Sequence, residues 1–192
     1  MNYHEAENMV LKLIDRYSVA GTPMALSYNN QADFVAKIPS LLDDALSVIA
    51  ATVRKLPKTV PLSTLSCETV DHTCIYTLPE DCVQVCLSGA EGARLLDENH
   101  LALPKGTGEK FLSYYRRPAL LGDSPAAETE LDGTPETHTA AAYYAAAYLM
   151  LHEDEYAHKA LLTEWERRLA RLLPLPRAEV GRIENVYGEG SA

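Results

Sequence analysis

Residues 140–151 read AAAYYAAAYLML, and no other stretch constrains the fold as strongly. The preceding TPETHT supplies a helix start, with Thr134 as N-cap and Pro135 at the first helical position, where its missing N–H is no loss. Ala140, Ala141, Ala142, Ala145, Ala146 and Ala147 leave little side-chain bulk on most of that helix, so neighbouring elements can come close to its backbone. Tyr143, Tyr144 and Tyr148 add aromatic area and keep a hydroxyl for a hydrogen bond. Such a helix suits the centre of a bundle or a seam between subunits, with Ala141, Tyr144, Ala145 and Tyr148 as its packing positions. The run is too short to cross a bilayer, which takes about 20 apolar residues, and it stops at His152-Glu-Asp-Glu155.

Other helices follow the same period. Tyr3, Ala6, Met9, Val10, Leu13, Ile14 and Tyr17 share one face, Asn2 with Glu5 has the shape of a capping box, and Ala20-Gly-Thr-Pro23 is the expected stop. Asn30 is expected to cap a second helix with Asp33 in its first turn. Its buried stripe is Phe34, Ile38, Leu41, Leu42, Ala45, Leu46, Ile49 and Val53, and Pro39 should kink or restart it. After a bend at residues 152–155, EYAHKALLTEWERRLARLL forms a last helix ended by Pro174 and Pro176.

Between these helices the texture turns to short β-rich segments: STLSCETV, HTCIYTLP, CVQVCLSG, ARLLDENHLALP and EKFLSYYRRP. LLDENHLAL reads as a hairpin turning at Asp97 to Asn99, and the preceding KLPKTVPLS, with its two prolines, as an extended connector. The expected fold is α+β: a mostly helical bundle of about four helices with a small inserted antiparallel β subdomain. Its helices lie in 1–54 and 135–173 and the β insert at about 63–117, making one domain over 1–173 followed by a flexible tail at 174–192.

The 192 residues suffice for one domain with a real core, and 47% hydrophobic against 23% charged residues argues against disorder. A net charge of −10 argues against a sequence-independent grip on phosphate backbones, which needs a basic face. The acids are unevenly placed: between Arg117 and Lys159 there are eight Asp or Glu residues and no Lys or Arg. No basic segment followed by an apolar one opens the chain, so a reducing cytoplasm is the expected site of synthesis.

Chemistry-bearing residues are sparse. Cys67, Cys74, Cys82 and Cys86 lack the CxxC spacing of zinc knuckles. Cys82, Gln84 and Cys86 fall on one strand face and Val83, Val85 and Leu87 on the other, so core packing is expected of these thiols. A metal site that adds His72 to the four cysteines, or a reactive thiol, is the alternative. The six histidines do not cluster; His152 and His158 miss the i, i+4 spacing of paired ligands, and a surface role is expected. GTGEK lacks the spacing of a phosphate-binding loop and reads as a hairpin turn. Tyr114-Tyr115-Arg116-Arg117 is either a stacking clamp for nucleic acid or a strand end with a solvated Arg pair, and the acidic surroundings favour the second. A site assembled from scattered acids such as Asp81, Glu153 and Asp154 would need them on one pocket wall. Taken alone, the residues describe a non-enzymatic domain with no cofactor.

The order of several stretches resembles the head-to-tail connector (adaptor, neck or head-completion) proteins of tailed bacteriophages, including those of prophages and gene-transfer particles. NQADFVAKIPSLL, from Asn30, is similar to the family's second helix with its internal proline, YTLPED (Tyr76–Asp81) to its strand end, and FLSYYRRP (Phe111–Pro118) to its closing strand. The acidic linker, the Ala/Tyr-rich helix and Glu164-Trp-Glu-Arg-Arg-Leu-Ala-Arg-Leu172 follow in the same order. The resemblance spans roughly residues 28–173; the cysteine-rich strands are not part of it and leave a private metal site open.

The resemblance implies a structural virion protein, made in the bacterial cytoplasm and placed at the head–tail junction, without catalytic residues, cofactor or membrane contact. It implies a ring, usually of twelve copies, docked on the portal protein, extending the DNA channel, completing the head and carrying the next component, a stopper or tail protein. Genomic DNA would pass an acidic lumen without specific binding. The tail, with Arg177, Arg182, Ile183, Val186 and Tyr187, would order on the portal. Cyclic assembly requires two different, complementary faces on each subunit. The alternative from another class is a small cysteine-based metal-binding or regulatory protein.

Overall fold

Asn2 and Glu5 close a capping box, the Asn2 side chain accepting from Glu5 N at 2.9 Å and the Glu5 carboxylate from Asn2 N at 3.0 Å, and so start helix α1 (Tyr3–Leu13). The computed structural model describes residues 1–17, 21–27, 31–86, 92–105 and 110–173. α1 ends well before the expected Ala20-Gly21 stop. Asp15 takes a φ of 54°, and Arg16 N donates to Leu11 O at 2.8 Å, a Schellman closure that an Asp tolerates because its short polar side chain suits the left-handed region. Ile14 and Tyr17 still lie against the core, from beyond the helix rather than within it.

Helix α2 (Gln31–Thr52) runs through Pro39 as one element, so the expected restart does not occur. Proline forfeits one backbone hydrogen bond there, but Ile38, Leu42, Ala45, Leu46 and Ile49 on the same stripe stay buried and hold both halves to the bundle. The expected cap Asn30 lies outside the described residues. Helix α3 (Pro135–Met150) starts at Thr134 with Pro135 at its first position, and Thr134 N donates to Thr137 Oγ1 at 2.9 Å. Helix α4 (Glu155–Leu172) starts at Asp154, whose Oδ1 accepts from Tyr156 N at 2.9 Å and Ala157 N at 3.0 Å. α3 packs on α1, α2 and α4, and its six alanines are fully buried within the single subunit.

The picture of a helical bundle with a small β insert is corrected: the chain is an α+β fold in which, among the described residues, four helices are matched by seven strands in two antiparallel sheets. The first sheet has the order β1 (Leu56–Pro61), β7 (Phe111–Arg116), β4 (Cys82–Val85). The second has the order β2 (Cys67–Val70), β3 (Thr73–Thr77), β6 (His100–Pro104), β5 (Arg94–Leu95). Leu62, Leu78, Leu101, Leu103, Leu112 and Tyr114 form a second core, separate from the helical one. The β portion therefore buries its own apolar face instead of decorating the bundle.

Two features hid this. The expected connector at Lys55–Ser63 is mostly strand β1: its prolines, Pro57 opposite Tyr115 and Pro61 opposite Phe111, sit on a sheet edge, where a missing N–H breaks no ladder bond. The hairpin turn expected at GTGEK falls on residues 106–109, which lie outside the described residues; β6 and β7 on either side of it belong to different sheets. The turn at Asp97–Asn99 is as expected: Leu95 pairs with Leu101, and Asp97 Oδ1 accepts from Asn99 N at 2.8 Å. Among the described residues no helix is long and apolar enough to cross a membrane.

Candidate functional site

The register that sets Leu56 opposite Arg116 brings together basic residues far apart in sequence, Lys55 and the pair Arg116-Arg117. They meet where the C-terminal turns of α2 face the β1–β7–β4 sheet. A cleft of about 350 Å³ opens at this junction. Ala50 and Ala51 of α2 line it with Val83 and Pro118, and Lys55, Gln84, Tyr115, Arg116 and Arg117 supply its polar groups. Lys55 Nζ donates to Gln84 Oε1 at 2.7 Å and lies 4.8 Å from the centre of the Tyr115 ring.

Arg116 and Arg117 are not the solvated pair expected. Two nitrogens of the Arg116 guanidinium donate to the two carboxylate oxygens of Asp132 at 2.6 Å each, whereas Arg117 is exposed at the cleft. The hydrogen bonds from Arg116 hold the Asp132 carboxyl below the usual carboxylate range. Tyr114 leaves the cleft altogether. Its ring is 1% exposed in the β core, and its hydroxyl donates to Asp81 Oδ1 at 2.9 Å. Lys58 Nζ donates to the other oxygen of Asp81 at 2.8 Å. Desolvation pushes this carboxyl up, but the bonds from Lys58 and Tyr114 outweigh it and leave it below its ordinary value. A nucleic-acid clamp across all four residues is thus not assembled: Tyr115, Arg116 and Arg117 line the cleft, with Arg116 held by Asp132, and Tyr114 does not.

The sequence-selected helix positions divide. Ala141 and Ala145 are core residues. Tyr144 stacks on Trp165 of α4 edge to face at 5.1 Å, and burial pushes its hydroxyl up to about 12. Tyr148 meets Tyr144 at 4.4 Å and the His158 ring at 6.1 Å, yet is partly exposed. His158 Nδ1 lies 2.8 Å from Ala147 O, and the Arg168 guanidinium lies 4.3 Å from the Tyr143 ring centre, so α3 and α4 form an antiparallel hairpin tied along its length. At its turn Leu151, Glu153, Asp154, Glu155 and Tyr156 are all exposed, Tyr156 at 84%.

The cysteines do not converge. Cys67 and Cys74 sit on the β2–β3 hairpin of one sheet, and Cys82 and Cys86 sit at β4 of the other. Burial and then the Cys74 neighbour raise the Cys67 thiol, while the hydrogen bonds from Thr69 and Cys67 overcome desolvation and lower Cys74. The expected Cys82/Gln84/Cys86 face is broken by a bulge between Cys82 and Gln84, which turns Cys82 and Val85 toward the β core and leaves Val83 at 59% exposed. His72 is exposed in the two-residue turn joining β2 to β3, with a φ of 67° after Asp71 at 42°. Among the described residues, no three His, Cys, Asp or Glu side chains stand together as a metal site. Asp81 lies in the β half and Glu153 and Asp154 at the α3–α4 turn, so these acids share no wall.

Two features escaped the sequence reading. The cleft depends on strand register, which no local pattern encodes. His138, expected at the surface with the other histidines, is 3% exposed, its Nε2 at 3.0 Å from Asp132 O and its Nδ1 buried without a partner among the described residues. A signal was present, since His138 shares the helix face of Ala141, Ala142 and Ala145. Residues 174–192, with Arg177, Arg182, Ile183, Val186 and Tyr187, lie outside the described residues. No protein-family model matches the chain, and no curated protein matches it.

Proposed function

We propose that this chain is a ring-forming connector of a tailed-bacteriophage-like particle, seated between the portal and the neck or tail. In this reading it is a non-enzymatic structural subunit made in the bacterial cytoplasm. About twelve copies would extend the DNA channel beneath the portal and complete the head. The tail at 174–192 would reach the portal, the exposed rim would receive a stopper or tail protein, and DNA would slide past without being held.

One observation carries the reading. The stretches that resemble the connector family act on one another in the fold: Asp81 of YTLPED accepts from Tyr114 of FLSYYRRP, and Arg116 of the same stretch pairs with Asp132 in the acidic linker before the Ala/Tyr-rich helix. A motif order built from mutually bonded residues is harder to meet by chance than the same stretches lying apart. The net charge of −10 adds support, since like-charged walls disfavour a bound state for DNA.

The test is solution mass by light scattering, for the protein alone and mixed with the portal protein encoded beside it. A mass near 21.1 kDa for the dilute protein alone at physiological salt, with multi-copy incorporation on the portal, is the expected result. A monomer that ignores the portal and carries stoichiometric zinc would overturn the reading in favour of a cysteine-based metal protein.

A further inference from the structure

We infer that the cleft between α2 and the β1–β7–β4 sheet is the socket for the α3–α4 turn of a second copy of this chain. The inference rests on the ring reading and specifies its subunit contact.

The two surfaces are opposite in charge, and each carries apolar area beside its charges. The socket presents Lys55 and Arg117 over an apolar floor of Ala50, Ala51 and Pro118, with the exposed Val83 at its edge. It is cationic on a chain of net charge −10. The turn presents Glu153 and Glu155, the latter also accepting from Lys159 Nζ at 2.6 Å, beside the exposed Leu151 and Tyr156. An aromatic side chain 84% in water within an acidic, apolar knob has the composition of an interface anchor.

The placement decides between cis and trans. Asp132 and Thr137, at the N-terminal end of α3, share a depression with Ala50 and Pro118 of the socket, so the socket lies beside the start of α3. The turn lies at the other end of the same helix, whose 16 residues span about 24 Å at 1.5 Å per residue. A rigid helix cannot bring its far end to its near end, so no subunit fills its own socket. A contact between two different faces of identical subunits is heterologous, and its repetition closes a ring or extends a filament.

The experiment places p-benzoylphenylalanine at position 156 of the full chain, mixes normal and heavy-isotope copies, irradiates, and maps the cross-links by mass spectrometry. It is run with the unmodified protein alongside in sedimentation velocity at low salt. The expected cross-link joins position 156 of one copy to the segments around 50–55, 83–84 or 115–118 of another. It should weaken on raising salt, because exposed charge pairs are screened. Charge reversal by Lys55→Glu with Arg117→Glu, or by Glu153→Lys with Glu155→Lys, should each weaken self-association by about tenfold or more, since like charges then face each other. Mixing the two reversed proteins sets opposite charges against each other at both contacts, native turn in native socket and reversed turn in reversed socket, so association through alternating copies is expected to return.

Copies that associate while position 156 cross-links elsewhere would overturn the socket and leave the ring reading standing on another face. Absence of both association and cross-link at every concentration would overturn the socket, and the ring reading would then stand or fall on the separate mass measurement with portal. The cross-link map uses the unreversed socket, so it decides the question even if a charge-reversed protein fails to fold.

Discussion

Arg116 and Asp132 meet through two parallel hydrogen bonds of 2.6 Å, and Asp132 also accepts from Ala119 N at 2.6 Å. Arg116 ends the central strand of the first sheet and Asp132 precedes α3, so this pair ties the β half to the helical half. Both side chains are more than three-quarters buried. The same bond keeps Arg116 at the wall of the cleft and directs Arg117 toward solvent.

Removing one partner should therefore be costly. Asp132→Ala leaves the largely buried guanidinium with Arg117 O as its remaining acceptor and takes the acceptor from Ala119 N, a loss of about 2–4 kcal/mol in urea unfolding. The carboxyl is held below its ordinary value in the fold, so its contribution is present above the unfolded-state value and is lost as pH falls through the folded one. The gap between wild type and variant should accordingly narrow below pH of about 4. A gap that stays constant down to pH of about 2 would mean the pair contributes nothing through charge.

Asp81 and Tyr114 make a second, testable bond. Tyr114→Phe removes the donor and should cost about 1 kcal/mol, while Asp81→Ala strands a buried hydroxyl at about 1–3 kcal/mol. Combined, the two should cost less than their sum by about 1 kcal/mol, because the bond is counted in both single changes. Strict additivity in the double-mutant cycle would show that the 2.9 Å contact carries no coupling energy.

What the sequence disclosed was local. Capping at Asn2 and Glu5, the Thr134-Pro135 start and the Asp97–Asn99 turn each depend on residues within four positions, and each forms as read. What it concealed was pairing over distance. β1 was masked because two prolines resemble a linker until an edge position is known, and the Val83 bulge inverted the face expected of Cys86 and Val85. The cleft exists because Leu56 stands opposite Arg116, sixty positions on, and no periodicity carries that information.

The alanine face gives a prediction about where the packing lies. Ala145 is fully buried within one subunit, so Ala145→Leu should lower stability by about 1–3 kcal/mol through overpacking, whatever the protein concentration. Thermal unfolding at low concentration checks this. An unchanged midpoint accompanied by lost self-association would instead assign the face to a subunit seam.

His138 should make the fold sensitive to mild acid. Its Nε2–H donates to Asp132 O at 3.0 Å, which leaves the buried Nδ1 as the atom that must take a second proton. Burial disfavours the charged ring and holds its pKa below the ordinary 6.5. The unfolded chain then binds more protons in the interval below 6.5, so stability is complete above that pH and declines as pH falls toward the folded value. Chemical denaturation at steps from pH 7.5 to 5 should show this decline in the wild type, while His138→Gln, which has no proton to take up, should start less stable and vary less with pH over the same range. Parallel profiles for the two proteins would show that another group controls the acid response.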